Sequence, residues 1–95
     1  MKNYYVYIMS SKKDGIMYAG NTNDMARRSY EHREGLIAGF TRKYKIKRLA
    51  YVEVFDNVKE AVEREKQLKG WRRDEKISLI ESENKDWNDL YGTIL

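Results

Sequence analysis

Residues 4–9 form an aromatic and β-branched run in which alternation puts Tyr5, Tyr7 and Met9 on one face and Tyr4, Val6 and Ile8 on the other. That period of two predicts a strand, and because both faces are apolar the strand is expected to be covered on both. A polar segment, residues 10–15, closes on Asp14-Gly15, a turn signal, and a second apolar run at 16–20 completes a hairpin. Gly20 then lets the backbone bend or approach something closely. Thr22-Asn23-Asp24 supplies a helix start, a capping Asn or Thr with an acid in the first turn, for a helix over 24–34 that Gly35 ends. Residues 36–48 form a basic connection, 49–55 a third strand, and Asp56-Asn57 turns into a helix over 58–69 that Gly70 stops. A last amphipathic helix spans 72–83, with Ile77 and Ile80 or Leu79 inward. The tail, 84–95, keeps Trp87, Leu90 and Tyr91 to dock on the body. The order β-β-α-β-α-α predicts a small antiparallel sheet flanked by helices.

Ninety-five residues fit one domain with a modest core. The absence of cysteine excludes disulfides, thiolate metal sites and a cysteine nucleophile, and a single histidine excludes a multi-histidine metal site. No apolar run approaches the roughly 20 residues that span a bilayer. The apolar part of MKNYYVYIM is short for a signal peptide, so a cytoplasmic protein with no membrane partner is expected.

The net charge of +4 is unevenly spread: residues 1–48 hold 11 Lys/Arg against 4 Asp/Glu, and residues 49–95 hold 8 against 11. A basic half beside tyrosines suits a phosphate backbone, the alternative being a solvated lysine-rich surface. Within the basic connection, Phe40 and Tyr44 lie between Lys and Arg residues. They either pin the loop to the body or present a nucleic-acid contact surface.

Three positions carry candidate chemistry. Glu65 falls on the apolar stripe of the second long helix, with Val58, Ala61, Val62 and Leu68. A carboxylate there is costly unless it is paired or binds a cation. It is either salt-bridged to Arg64, Lys69 or an arginine of the first helix, or a ligand for a hard divalent cation, which prefers carboxylate oxygen and water. Arg28 and His32 share a face of the first helix with Met25 and Ser29, while Arg27 points elsewhere. Arg28 is either a structural ion pair or a fork for phosphate that lysine cannot reproduce, and His32 a packed or capping side chain or a proton carrier. Tyr5, Tyr7 and Tyr18 read first as core or interface aromatics.

Taken together, Tyr5-Val6-Tyr7 and Tyr18-Ala19-Gly20, separated by ten residues and followed by Arg28, His32 and a later helix with Glu65, resemble the GIY-YIG nuclease family. The resemblance is greatest to small stand-alone bacterial members, related to the N-terminal module of the nucleotide-excision-repair incision subunit. It covers about residues 3–82; REKQLKGWRR (64–73) and KISLIE (76–81) look like that subgroup's second half. No single triplet is specific, but the ordered set is. The resemblance implies an α/β (α+β) sandwich with a central three-stranded antiparallel sheet, a nuclease-like domain at 1–83 and a docked tail at 84–95.

It also implies a metal-dependent endonuclease that hydrolyses phosphodiester bonds in DNA, with RNA as the alternative, in a setting such as DNA repair and with Mg²⁺ or Mn²⁺ as cofactor. Tyr7 and Tyr18 become the tyrosines of the two triplets, Gly20 the close-approach glycine, Arg28 the helix arginine, His32 the histidine of some members and Glu65 the metal ligand. Gly20, Asn21, Arg27, Arg42 and Lys43 are expected on the nucleic-acid side. Tyr5 replaces the first glycine, Ala19 the middle isoleucine, and Asn21 stands where some relatives have lysine, which removes a phosphate contact.

Tyr7 is expected to act as base, with Tyr18 orienting it or the water and His32 relaying the proton. A hydroxyl with a reference pKa of about 10 needs a nearby cation, or Tyr18, to lower it first. A catalytically silent nucleic-acid-binding module and a purely structural domain are the competing classes. So short a chain leaves little room for base readout, so specificity is expected from a partner protein or from substrate shape.

Overall fold

The computed structural model describes residues 3–94. Along the chain stand β1 (Tyr4–Ser10), β2 (Met17–Thr22), α1 (Met25–Arg33), α2 (Phe40–Lys43), β3 (Arg48–Phe55), α3 (Val58–Gly70), α4 (Arg73–Glu83) and α5 (Tyr91–Ile94). The three strands and three longer helices of the sequence pattern are present. The four-residue α2 and α5 are additions, each too short for a hydrophobic period to register.

The three strands form an antiparallel sheet in the order β2-β1-β3, so the doubly apolar strand is the central one. Val6 and Ile8 pack with Ala61 and Leu68 of α3, Ile80 of α4 and Trp87. Tyr7 and Met9 meet Met25, Ile46 and Leu49 on the opposite face. The strand β2 runs past Gly20 to Thr22 because the ladder continues, Gly20 facing Tyr7 and Asn21 facing Val6. At the other edge the register slips by one residue between Ile8, opposite Tyr51, and Met9, opposite Leu49. The extra residue, Ala50, is a bulge that lets Ala50 and Tyr51 both serve the α3 face while Leu49 serves the other.

The tail fastens onto that bulge. Asn84 Nδ2 donates to the Ala50 carbonyl (3.0 Å), the Leu90 N–H to the Leu49 carbonyl (2.8 Å), and the Leu49 N–H to Asp89 Oδ1 (3.2 Å). These bonds occupy backbone groups on the outer edge of β3 that would otherwise invite another strand. Trp87 is fully buried between them and donates its indole N–H to Glu81 (2.8 Å).

Several local details depart from the sequence pattern. The cap of α1 is Asp24 itself, whose Oδ1 accepts from the Arg27 N–H (3.1 Å), so no acid remains in the first turn. Gly35 does end the helix, with φ of 67° and the Leu36 N–H returning to the Glu31 carbonyl. Gly70 is the last residue of α3, and Trp71 stops the helix. Val58 is exposed, leaving Ala61 and Leu68 as the buried residues of that stripe. The basic connection is held inward by Thr41 and Ile46, both buried, whereas Phe40 and Tyr44 face solvent. Its aromatics therefore do not pin it.

Candidate nuclease site

The site assembles around the middle of β1. Tyr7 is 1 % exposed, and its hydroxyl lies 3.2 Å from His32 Nε2 on α1. The other imidazole nitrogen, Nδ1, lies 3.2 Å from Thr41 Oγ1 on α2, so both ring nitrogens of this 4 % exposed histidine are engaged. Tyr18 completes the cluster, its ring centroid 6.5 Å from that of Tyr7 and 5.8 Å from that of His32.

Gly20 is the reason Tyr7 fits. A Cβ at this position would stand 2.6 Å from the Tyr7 hydroxyl oxygen and 3.2 Å from the Tyr18 ring. A tyrosine opposite a glycine across two strands lays its ring into the space the missing side chain leaves. The glycine of the second triplet thus serves close approach, by a side chain of the same sheet.

Charged groups border the aromatic cluster from two sides. Glu31 on α1 pairs with Arg28 (3.3 Å) and with Arg27 (3.5 Å), the arginine side chains being 41 % and 75 % exposed. Arg27 thus points outward, as the helix spacing predicts. A depression of about 170 Å³, lined by Thr22, Asn23, Asp24, Arg27, Arg28 and Glu31, opens here. From α3, Glu65 reaches the β2 edge: Oε1 accepts from Asn21 Nδ2, and Oε2 pairs with Lys69 Nζ at 2.6 Å. The same ammonium lies 5.7 Å from the Tyr18 ring centroid. The ion pair to Lys69 is thus the one formed, while Arg64 turns away to hold Glu53 through Nε and Nη2.

The electrostatics differ from the expectation that a neighbour lowers the Tyr7 pKa. Burial raises it well above the ordinary tyrosine value, Tyr18, Glu65 and Glu31 raise it further, and only Arg28 opposes them. A standing tyrosinate is therefore disfavoured. Burial, seconded by Arg28 and opposed by Glu31, lowers the His32 pKa, which keeps the imidazole neutral at neutral pH. The hydrogen bond that Lys69 donates to Glu65 raises the Lys69 pKa and keeps it charged.

Tyr7, Tyr18 and His32 thus cluster, with Gly20 against the two tyrosines, Glu65 and Asn21 bond each other, and Arg28 lies within the field felt by Tyr7 and His32. Arg42 and Lys43 are exposed on α2, joined to the cluster through Thr41 alone. Two participants escaped the sequence pattern. Thr41 carried no signal, since its role depends on where a four-residue helix folds back. Lys69 was legible as an i,i+4 partner of Glu65, but not as a neighbour of Tyr18. No group of three or more His, Asp or Glu side chains gathers among the described residues, and no helix among them is long and apolar enough to cross a membrane.

Comparison with known proteins bears on the family and the fold. The family model of the GIY-YIG catalytic domain matches residues 3–78. A UPF0213 protein of Staphylococcus saprophyticus is 36 % identical over 80 residues, covering 84 % of this chain and 96 % of that relative. A UPF0213 protein of Clostridium perfringens is 39 % identical over 80 residues, covering 84 % and 85 %. The solution NMR structure of a UPF0213 protein from Bacillus halodurans superposes with a TM-score of 0.57 at 33 % identity, over 92 % of each chain. Those names state no activity, so the nuclease-like character rests on the domain family. With the family model matched over residues 3–78 and its two triplets on adjacent strands of one three-stranded antiparallel sheet, the chain belongs to the GIY-YIG catalytic-domain family, alongside small stand-alone bacterial relatives.

Proposed function

We propose that the chain is an endonuclease that hydrolyses phosphodiester bonds in DNA with the help of Mg²⁺ or Mn²⁺. The observation that carries this reading is the buried chain Tyr7–His32–Thr41, set within the field of Arg28 and Glu65.

The raised Tyr7 pKa argues for a proton relay in place of a resident tyrosinate. In the relay, Tyr7 donates its hydroxyl proton to His32 Nε2 while Nδ1–H donates to Thr41 Oγ1. As Tyr7 accepts a proton from the attacking water, its own passes to His32, and the oxygen never carries a full charge while buried. The resulting imidazolium lies near Glu31, which favours it. Tyr18, half-buried against both rings, orients the water. Arg28 neutralises the phosphate oxygens as the phosphorus becomes pentavalent.

Glu65 is the carboxylate that would hold the metal. Its side chain is 16 % exposed, accepts from an amide and pairs with a half-exposed ammonium, and it belongs to no group of three or more His, Asp or Glu side chains among the described residues. Such a donor set suits a hard cation that keeps several waters and takes the rest of its ligands from phosphate. When bound, the ion supplies Lewis-acid stabilisation of the leaving oxygen.

The test is Mg²⁺-dependent nicking of supercoiled plasmid by wild type beside Glu65→Ala, with folding checked by circular dichroism. Activity in the wild type and its loss in a folded variant are expected; full activity in Glu65→Ala sinks the assignment. The closed Glu65–Lys69 pair and the buried Tyr7 favour a second reading, a silent nucleic-acid-binding module, which predicts binding by both proteins and cutting by neither.

A further inference from the structure

Phe40 and Tyr44 stand one helical turn apart, bracketing α2, with ring centroids 4.8 Å apart at 52°. They are 49 % and 41 % exposed, although burying an aromatic side chain is worth a few kcal/mol to a small domain. Their exposure is imposed from within. Thr41 and Ile46 take the two inward positions of the segment, Thr41 against His32 and Ile46 in the core with Tyr7, and the Ile46 N–H closes onto the Thr41 carbonyl (2.9 Å). With those anchors fixed, the two rings face outward.

The segment's own charge has one sign, although Glu34 and Asp89 share a depression with Lys47 and Arg48 at its end. Residues 36–48 contain Arg42, Lys43, Lys45, Lys47 and Arg48 and no acid. Lys43 Nζ lies 5.3 Å from the Tyr44 ring centroid. Exposed aromatic faces amid these cations suit a partner that is both anionic and flat-ringed. An unpaired nucleotide meets both demands, whereas the bases of an intact duplex are stacked on one another and offer no free face.

We infer that the Phe40–Tyr44 pair is a stacking platform for unpaired bases, and that the preferred substrate carries a single-stranded segment beside the scissile phosphate. The inference rests on the nucleolytic reading only for the second clause. Thr41, which lies between the two rings in sequence, bonds His32, whose other nitrogen lies 3.2 Å from the Tyr7 hydroxyl, so one short segment carries both the platform and a contact of the relay.

The test separates binding from cutting. In the Glu65→Ala background, fluorescence anisotropy measures affinity for a single strand of about 15 nucleotides and for a duplex of equal length. Phe40→Ala and Tyr44→Ala are each expected to weaken single-strand binding about tenfold and to change duplex binding less than twofold. Phe40→Trp, which keeps a stacking face, is expected to retain the wild-type value. An equal loss on both ligands, no loss on either, or a change of oligomeric state in Phe40→Ala on size-exclusion chromatography would each overturn the platform. Platform-dependent binding by a protein with intact Glu65 that never cuts overturns the nuclease reading and leaves the platform standing. Cutting that ignores Phe40→Ala does the reverse.

Discussion

At single residues the structure separates positions that carry the same charge. Arg28 lies in the field of Tyr7 and His32, while Arg27, one residue earlier, is 75 % exposed. Arg28→Lys keeps the charge and loses the fork, so single-turnover cleavage is expected to fall about a hundredfold, or ~3 kcal/mol, with binding nearly unchanged. Arg27→Lys is expected to change the rate little, and equal rates for the two variants would place the phosphate contact elsewhere. His32 carries a pH signature. Its pKa is lowered, so its accepting nitrogen is present through neutrality and lost only when the imidazole protonates below about 6.5. The rate is expected to fall on the acid side with a midpoint under that value, and His32→Ala to abolish that limb; a midpoint above 7 would remove the relay. Lys69 offers a readout that needs no turnover. Its ammonium pairs with one Glu65 oxygen, and a half-exposed pair is worth under about 1 kcal/mol. Lys69→Met is therefore expected to raise Mn²⁺ affinity up to about fivefold by electron paramagnetic resonance, and unchanged affinity would mean the ammonium is no competitor.

At the level of elements, what period alone reveals was legible and what depends on meeting a distant segment was not. The doubly apolar 4–9 run became the central strand, and Gly35 and Asn57 marked helix ends as their chemistry dictates. The bulge at Ala50 and the inward turn at Thr41 each arise where distant segments meet, which no local period records. The same holds for Glu53. Arg64 grips its carboxylate through two nitrogens and Tyr51 donates to it, fixing α3 against β3. Burial by itself would raise this carboxyl, but the hydrogen bonds from Arg64 and Tyr51 prevail and hold it below the ordinary value. A depressed folded pKa means a stabilisation that is complete above about 4.3, the unfolded glutamate value, and lost as pH falls through the lower folded one. Thermal melts below pH 4 are expected to drop less steeply in Glu53→Gln than in wild type; parallel curves would leave the pair without a stabilising role.

Over the whole molecule the charge is uneven, with 11 Lys/Arg against 4 Asp/Glu in residues 1–48. Affinity for DNA is expected to weaken steeply between roughly 50 and 200 mM salt, because each neutralised phosphate releases counterion, and a flat dependence would remove the basic surface from the account. The catalytic candidates split in another way. Tyr7 and His32 are buried among core residues, so replacing either disturbs packing, whereas Arg28 and Glu65 stand at the margin of the body. In evolutionary terms the two groups answer to different selection. A lineage that abandoned cutting would shed the marginal arginine and glutamate freely, yet keep the tyrosine and histidine for as long as it kept the fold. The triplet tyrosines thus testify mainly to architecture, and Arg28 and Glu65, each held by other partners at the margin, bear more directly on whether a chain of this fold cuts.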